Sequence, residues 1–214
     1  MKYYLDAGTT YSKIISLENG KKEYKIIPSK NLREMNVTFE KACGHMGFQH
    51  LNSENEIVAL AKGCKGKIED SATVLDLGSR DAKWIKFKDG KFADMDWNTS
   101  CASSTGATVE MLLKFYDINL NELKFNNEKF NVTCGIFGLE KIMDDISKGT
   151  NASVSVSKFI HGIAYNTWTF AQKPKKLYLS GGFCENKCFT DSLKHYCDVE
   201  LLGRFLLCEG LIDE

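Results

Sequence analysis

The chain carries no surplus of either charge: 28 acidic and 28 basic residues balance over 214 positions. That removes the electrostatic case for a nucleic acid or an anionic membrane surface as partner. No apolar run approaches the roughly 18 residues that a membrane span needs. The opening residues, Met1 to Asp6, read as entry into a strand and not as a signal peptide. Eight cysteines without an export segment point to a reducing, cytoplasmic compartment. There, thiol or metal chemistry is expected in place of a disulfide scaffold. A chain of this length forms one large domain or two small lobes with a real core.

What is present is a repeat. Leu5-Asp6-Ala7-Gly8-Thr9-Thr10 begins a stretch that returns, 70 residues on, as Leu75-Asp76-Leu77-Gly78-Ser79-Arg80. The two copies align without a gap through Lys13 and Lys83 to Asn19-Gly20 and Asp89-Gly90. Each reads as strand, Asp-x-Gly turn, strand and a second turn of the type that closes hairpins. A repeat of this length predicts two lobes, residues 1–70 and 71–214, with a last helix near 200–214 packing back on the first. Gly8 and Gly78 let the backbone come close to a ligand. Successive amides in such turns form an anion site, and Thr9, Thr10 and Ser79 add hydroxyl donors. Asp6 and Asp76, at the strand ends, would hold Mg²⁺ through water. A phosphate site between two lobes is the expectation; two ordinary hairpins with turn-capping aspartates are the alternative.

Along the chain, strands are expected at 2–6, 13–18 and 22–27, then 37–42, and in the second copy at 73–76, 82–87 and 91–95. A helix over 54–65 begins with Ser53 and Glu56 as a capping box. Helices are also expected at 105–116, 137–148, 152–171 and 201–211 from their apolar spacing. His161 reads as a packing or surface residue. A strand at 177–179 ends in Gly181-Gly182, where a flat ligand can lie against bare backbone. Cys101 and Cys134 each precede a helix N-terminus, where the dipole favours a thiolate. Spacing alone leaves two readings open, a metal or cluster site or two buried thiols, and it matches no zinc-finger pattern.

These segments together carry a resemblance. Asp-x-Gly-Thr-Thr, its partner turn and a late strand ending in Gly-Gly resemble the superfamily of acetate and sugar kinases, heat-shock-70 proteins and actin. The cysteine segments narrow it. Asn98 to Gly106 resembles Asn-Asp-Lys-Cys-Ala-Ala-Gly-Thr-Gly, and Thr133-Cys134-Gly135-Ile136-Phe137 resembles Cys-Thr-Val-Phe. Ser180-Gly181-Gly182-Phe183 with Asn186 is similar to Thr-Gly-Gly-Val-Ala-x-Asn. These are motifs of the ATPases that activate 2-hydroxyacyl-CoA dehydratases. The likeness spans nearly the whole chain. The chain departs in lacking a helix between 28 and 37, and in placing Ser79 and Arg80 where the pattern has Gly and Gln.

The resemblance implies an α/β chain of duplicated ribonuclease-H-like lobes, the actin-like ATPase fold, clamping ATP. Phosphates would lie on Gly8, Thr9, Thr10, Lys13, Gly78, Ser79 and Asp81. Mg²⁺ would sit near Asp6 and Asp76, which act as the catalytic carboxylates. Adenosine would rest by Gly181, Gly182 and Asn186. Cys101 and Cys134 from each subunit of a homodimer would bind one [4Fe–4S] cluster, which takes four thiolates. ATP would drive an electron from that cluster to an iron–sulfur dehydratase or reductase, with a ferredoxin or flavodoxin as the donor. Two alternatives stay open: a small-molecule kinase of the same superfamily without a cluster, and a non-catalytic regulator that binds ATP or a cluster.

Overall fold

The computed structural model describes residues 1–47, 50, 52–98, 106–132 and 135–212, with the side chains of 135 and 136 left aside. Cys101 and Cys134, the expected cluster ligands, lie outside the described residues. Two mixed sheets carry the fold. The first comprises β1 (Lys2–Ala7), β2 (Tyr11–Glu18), β3 (Lys21–Pro28) and β4 (Lys41–Cys43), in the order β3-β2-β1-β4. The second comprises β5 (Ala72–Leu77), β6 (Ala82–Lys88), β7 (Lys91–Asn98), β8 (Lys176–Ser180) and β9 (Asp198–Gly203), in the order β7-β6-β5-β8-β9. In each, an antiparallel three-strand meander is followed by parallel addition next to its first strand. The second sheet continues to a fifth strand, β9, parallel to β8.

The hairpin turns form where the sequence places them. Asn19 and Gly20, and Asp89 and Gly90, all have positive φ, the backbone that a two-residue turn between right-twisted strands requires. Among the described residues six helices join the strands: α1 (Glu56–Gly63), α2 (Gly106–Phe115), α3 (Gly135–Ser147), α4 (Ala152–Phe170), α5 (Lys187–Lys194) and α6 (Leu206–Glu209). Helices α1 and α6 pack on each other; α6 also touches β1 and β2, and α1 touches β6. One core therefore joins the two sheets: Tyr4 and Ile15 from the first, Val74 and Ile85 from the second, Leu60 and Leu206 between. A larger core on the other face of the second sheet takes in Leu75, Trp84, Leu112, Ile142, Phe159 and Phe189. On the other face of the first sheet, Leu32 of a 3₁₀ turn (Ser29–Glu34) and Phe39 pack on Leu5 and Ile14, with Met35, Val37 and Met46 beside them.

Several sequence expectations shift. The strand expected over 37–42 is confined to Lys41–Cys43. Asn55, not Ser53, caps α1, its Oδ1 accepting from the Ile57 amide at 2.8 Å. Glu56 is turned instead toward Lys83. The helix expected over 201–211 is two elements, strand β9 and the short α6, because Leu201 belongs to a backbone ladder with Leu179. Helix α5, capped by Asn186, adds to the expected helices.

Candidate nucleotide-binding cleft

Side-chain parity places the carboxylates. Along β1, Tyr4 faces the core shared by the two sheets and Leu5 faces away, so Asp6 points the same way as Tyr4. Along β5, Val74 and Leu75 divide in the same manner, so Asp76 also points into the shared layer. Asp6 pairs with Lys13 across β1–β2, and Asp76 with Lys83 across β5–β6, in equivalent registers. The repeated hairpins thus aim two Asp–Lys pairs at one cleft of about 470 Å³.

Asp6, Gly8, Thr9, Thr10, Lys13, Asp76, Gly78, Ser79, Asp81, Gly182 and Asn186 line that cleft. Gly181 does not: its φ is +94°, and a Cβ there would meet the Leu77 carbonyl oxygen at 2.3 Å, so its role is close packing on β5. Asn186 accepts from the Phe189 amide as the cap of α5. Gly8 lacks room for a Cβ, which would lie 2.6 Å from the Tyr11 carbonyl oxygen. The second turn is closed by the Gly78 amide on the Asp81 carbonyl at 3.0 Å.

The lysines are ion-paired where they stand. Lys13 Nζ donates to Asp6 Oδ2 at 2.6 Å. Burial pulls its ammonium down, but Asp6 and Asp76 outweigh this and leave it raised. Lys83, only 2% exposed, donates to Glu56 at 2.5 Å and lies 3.4 Å from Asp76 and 3.5 Å from Asp81. Burial again lowers its ammonium and the three carboxylates raise it further, so it stays charged. Burial pushes the Glu56 carboxyl up to about 6, against the pull of Lys83. Asp81 also accepts from Trp97 Nε1 at 2.5 Å, which fixes the turn to β7. Neither Glu56 nor Lys83 was singled out from sequence as a site residue. The repeat did show Lys83 as the counterpart of Lys13, which was the available signal.

The cleft is also lined by apolar side chains with a polar edge: Val109 and Leu113 of α2, Phe183, Glu110 and Arg204. Arg204 Nη1 donates to Glu185 at 2.6 Å, and its Nε is buried with no acceptor among the described residues. The second turn is tied to α2. The Gly106 amide donates to the Gly78 carbonyl at 3.2 Å and the Ala107 amide to the Ser79 carbonyl at 2.9 Å. Helix α2 follows Cys101 in the chain, and α3 begins one residue after Cys134.

Among the described residues no group of three or more His, Cys, Asp or Glu is arranged to hold a metal. The six described cysteines are free, five of them buried. Burial pushes the Cys64 and Cys184 thiols up to about 12. Cys208 donates to the Tyr4 carbonyl and Cys184 to the Leu179 carbonyl, as packing residues do. His161 is buried with its Nε2 beside the Tyr196 hydroxyl at 2.7 Å, a packing role. No described helix is long and apolar enough to cross a membrane.

No family model matches the chain. An uncharacterised protein of Methanocaldococcus jannaschii is 27% identical over 168 residues, covering 73% of this chain and 69% of that protein. The (R)-2-hydroxyglutaryl-CoA dehydratase activating ATPase of Acidaminococcus fermentans is 21% identical over 230 residues, covering 92% of this chain and 88% of its own. The solved activator of the 2-hydroxyisocaproyl-CoA dehydratase from Clostridium difficile, with bound ADPNP, superposes with a TM-score of 0.82 at 18% identity. That match covers 98% of this chain and 91% of the activator. The comparisons bear out the resemblance to the dehydratase activators, and the chain has the actin-like ATPase fold.

Proposed function

We propose that this chain is an ATP-hydrolysing activator that couples nucleotide turnover to electron delivery into a partner dehydratase or reductase. The observation that carries the reading is the convergence of two equivalent Asp–Lys turns on one cleft, with the second turn hydrogen-bonded to the start of α2. In this reading the turns Gly8–Thr10 and Gly78–Asp81 offer amides and hydroxyls to the phosphates. The nucleoside lies against Val109, Leu113 and Phe183, beside Gly182, with Arg204 at its polar edge.

Asp6 and Asp76 fit a magnesium ion. Each spends one oxygen on its lysine and keeps the other for a metal-bound water. Mg²⁺ ordinarily takes one or two carboxylates and completes its shell with phosphate oxygens and water. Such an ion would offset charge on the phosphates as they separate. Glu56 stands near the same turns with a carboxyl that changes state at about 6. In the ionised form it can accept a proton from an attacking water. Lys83 holds that carboxylate in place.

Coupling follows from the tie to α2. A change in the phosphates on Gly78–Asp81 moves two carbonyls to which the first amides of α2 are bonded. By the resemblance to the dehydratase activators, Cys101 and Cys134 would be the pair for a cluster shared with a second copy in a homodimer. Both precede helix starts, where positive dipole ends suit an anionic group. A four-iron cluster bound by these thiols would supply a one-electron carrier. A ferredoxin or flavodoxin would refill it.

The test is steady-state MgATP hydrolysis by the wild type and by Asp76→Asn. The reading expects turnover in the wild type and a loss of about a hundredfold or more in the variant, the scale on which removing a transition-state electrostatic group acts. Equal turnover in both would refute the assignment of the cleft.

A further inference from the structure

Among the described residues four cations line the cleft, and three of them are already paired with acids: Lys13 with Asp6, Lys83 with Glu56 and Asp76, and Arg204 with Glu185. Arg80 is the exception. Among the described residues its only polar side-chain partner is His45, whose Nε2 faces Arg80 Nη1. A guanidinium has five donors and no acceptor, so the His45 ring is neutral and Nε2 accepts. One weak acceptor leaves most of the guanidinium's hydrogen-bonding capacity and all of its charge unspent.

The two residues sit on opposite sheets. Arg80 is at the tip of the β5–β6 turn, whose neighbours are tied down by the Gly78–Asp81 backbone bond and by Trp97. His45 follows β4 in the first sheet. Its loop is held against the end of β1, with the Met46 amide donating to the Ala7 carbonyl at 2.9 Å. Gly44 has φ +89° there, and a Cβ would lie 2.6 Å from the Ala7 nitrogen. The contact is therefore a bridge between two anchored turns that both line the cleft. The nucleoside end, by contrast, is lined by Val109, Leu113, Phe183 and Arg204, all from elements of the second sheet's side.

We infer that Arg80 is the γ-phosphate-reading residue of this cleft, and that His45 holds its place until a nucleoside triphosphate arrives. A phosphate oxygen is a charged, bidentate acceptor for a guanidinium, and a neutral imidazole is a single uncharged one. The terminal phosphate thus displaces His45, and the bridge between the sheets passes through the nucleotide. A diphosphate lacks the group that makes this exchange and leaves Arg80 on His45. The chain would distinguish the two nucleotides with a residue that departs from the Gln of the activator pattern. The inference rests on the cleft being an ATP site.

The experiment is calorimetric titration with Mg²⁺ plus either a non-hydrolysable ATP analogue or ADP. In Arg80→Gln, affinity for the triphosphate analogue should fall about ten- to a hundredfold, the worth of one charge-assisted bond, with ADP changed less than about threefold. In His45→Ala, which frees the guanidinium, the analogue should bind more tightly and ADP unchanged. If Arg80→Gln alters both nucleotides equally, alters neither, or tightens the analogue, the inference is overturned while the site stands. If the wild type binds neither nucleotide, the site itself is refuted, and this inference with it.

Discussion

Lys83 on β6 donates to Glu56, the first residue of α1, at 2.5 Å, and this bond joins the second sheet to the helix layer that also packs on the first. The same ammonium stands within 3.5 Å of Asp76 and Asp81. One buried cation thus holds three acids of the cleft together.

Removing that cation should cost stability. Lys83→Met leaves Glu56, Asp76 and Asp81 facing one another, and breaking a buried ionic group in this way costs about 3–5 kcal/mol. Urea denaturation of the variant measures it. Adding Glu56→Gln to Lys83→Met should restore part of the loss, since one of the stranded charges is gone. A single variant as stable as the wild type would show that the cluster is solvated and not a structural unit.

Glu56 gives the cleft a pH dependence with a definite sign. Its carboxyl is raised to about 6 by burial, so it is protonated below that value and ionised above it. A base works in the ionised form, so ATP turnover should climb between pH 5 and 7 with a midpoint at about 6. Glu56→Gln should lower the rate and flatten this limb. The same shift bears on folding with the opposite sense. The folded state holds the proton more tightly than the unfolded chain, so Glu56's contribution to stability declines as pH rises through the window from the ordinary carboxylate value to about 6. A rate limb that persists in Glu56→Gln would assign it to another group.

Two glycines should respond differently to the same substitution. A Cβ on Gly210 would lie 1.9 Å from the Ala59 carbonyl oxygen and 2.7 Å from the Gly63 amide nitrogen, where α6 meets α1. Gly210→Ala should therefore destabilise the fold by about 1–3 kcal/mol, the range for overpacking, as read by thermal unfolding. Gly182 lines the cleft with nothing within 4 Å of its would-be Cβ. Gly182→Ala should leave the melting temperature close to wild type and weaken nucleotide binding by crowding the ligand. The reverse pattern would contradict both placements.

Much of the cleft was legible because the signal was duplicated. Asp6 and Asp76 alternate with Tyr4 and Val74 at strand spacing, so one parity argument aims both carboxylates, and the Asn-Gly and Asp-Gly pairs set the hairpins. What escaped was decided by distant partners. Glu56 has the spacing of a capping box, and only the approach of Lys83, 27 residues along, turns it into the cleft. The apolar run 201–211 suits a helix by its spacing, yet the open edge of β8 claims Asp198–Gly203 as a parallel strand. The bare backbone of Gly181 offers a surface to a ligand in the sequence, and in the fold it lies close against the Leu77 backbone. Arg80 was visible as a departure from the family pattern, but its counterpart His45 comes from the other sheet and carries no motif.

The central claim is that nucleotide turnover here serves electron transfer, and the most direct measurement is iron and acid-labile sulfide per chain in protein prepared without oxygen. Two copies sharing one four-iron cluster predict about two of each per chain, falling away in Cys101→Ala and in Cys134→Ala. A chain that takes up no iron even after reconstitution, while still hydrolysing ATP, would contradict the account and make this protein an ATPase without a cluster.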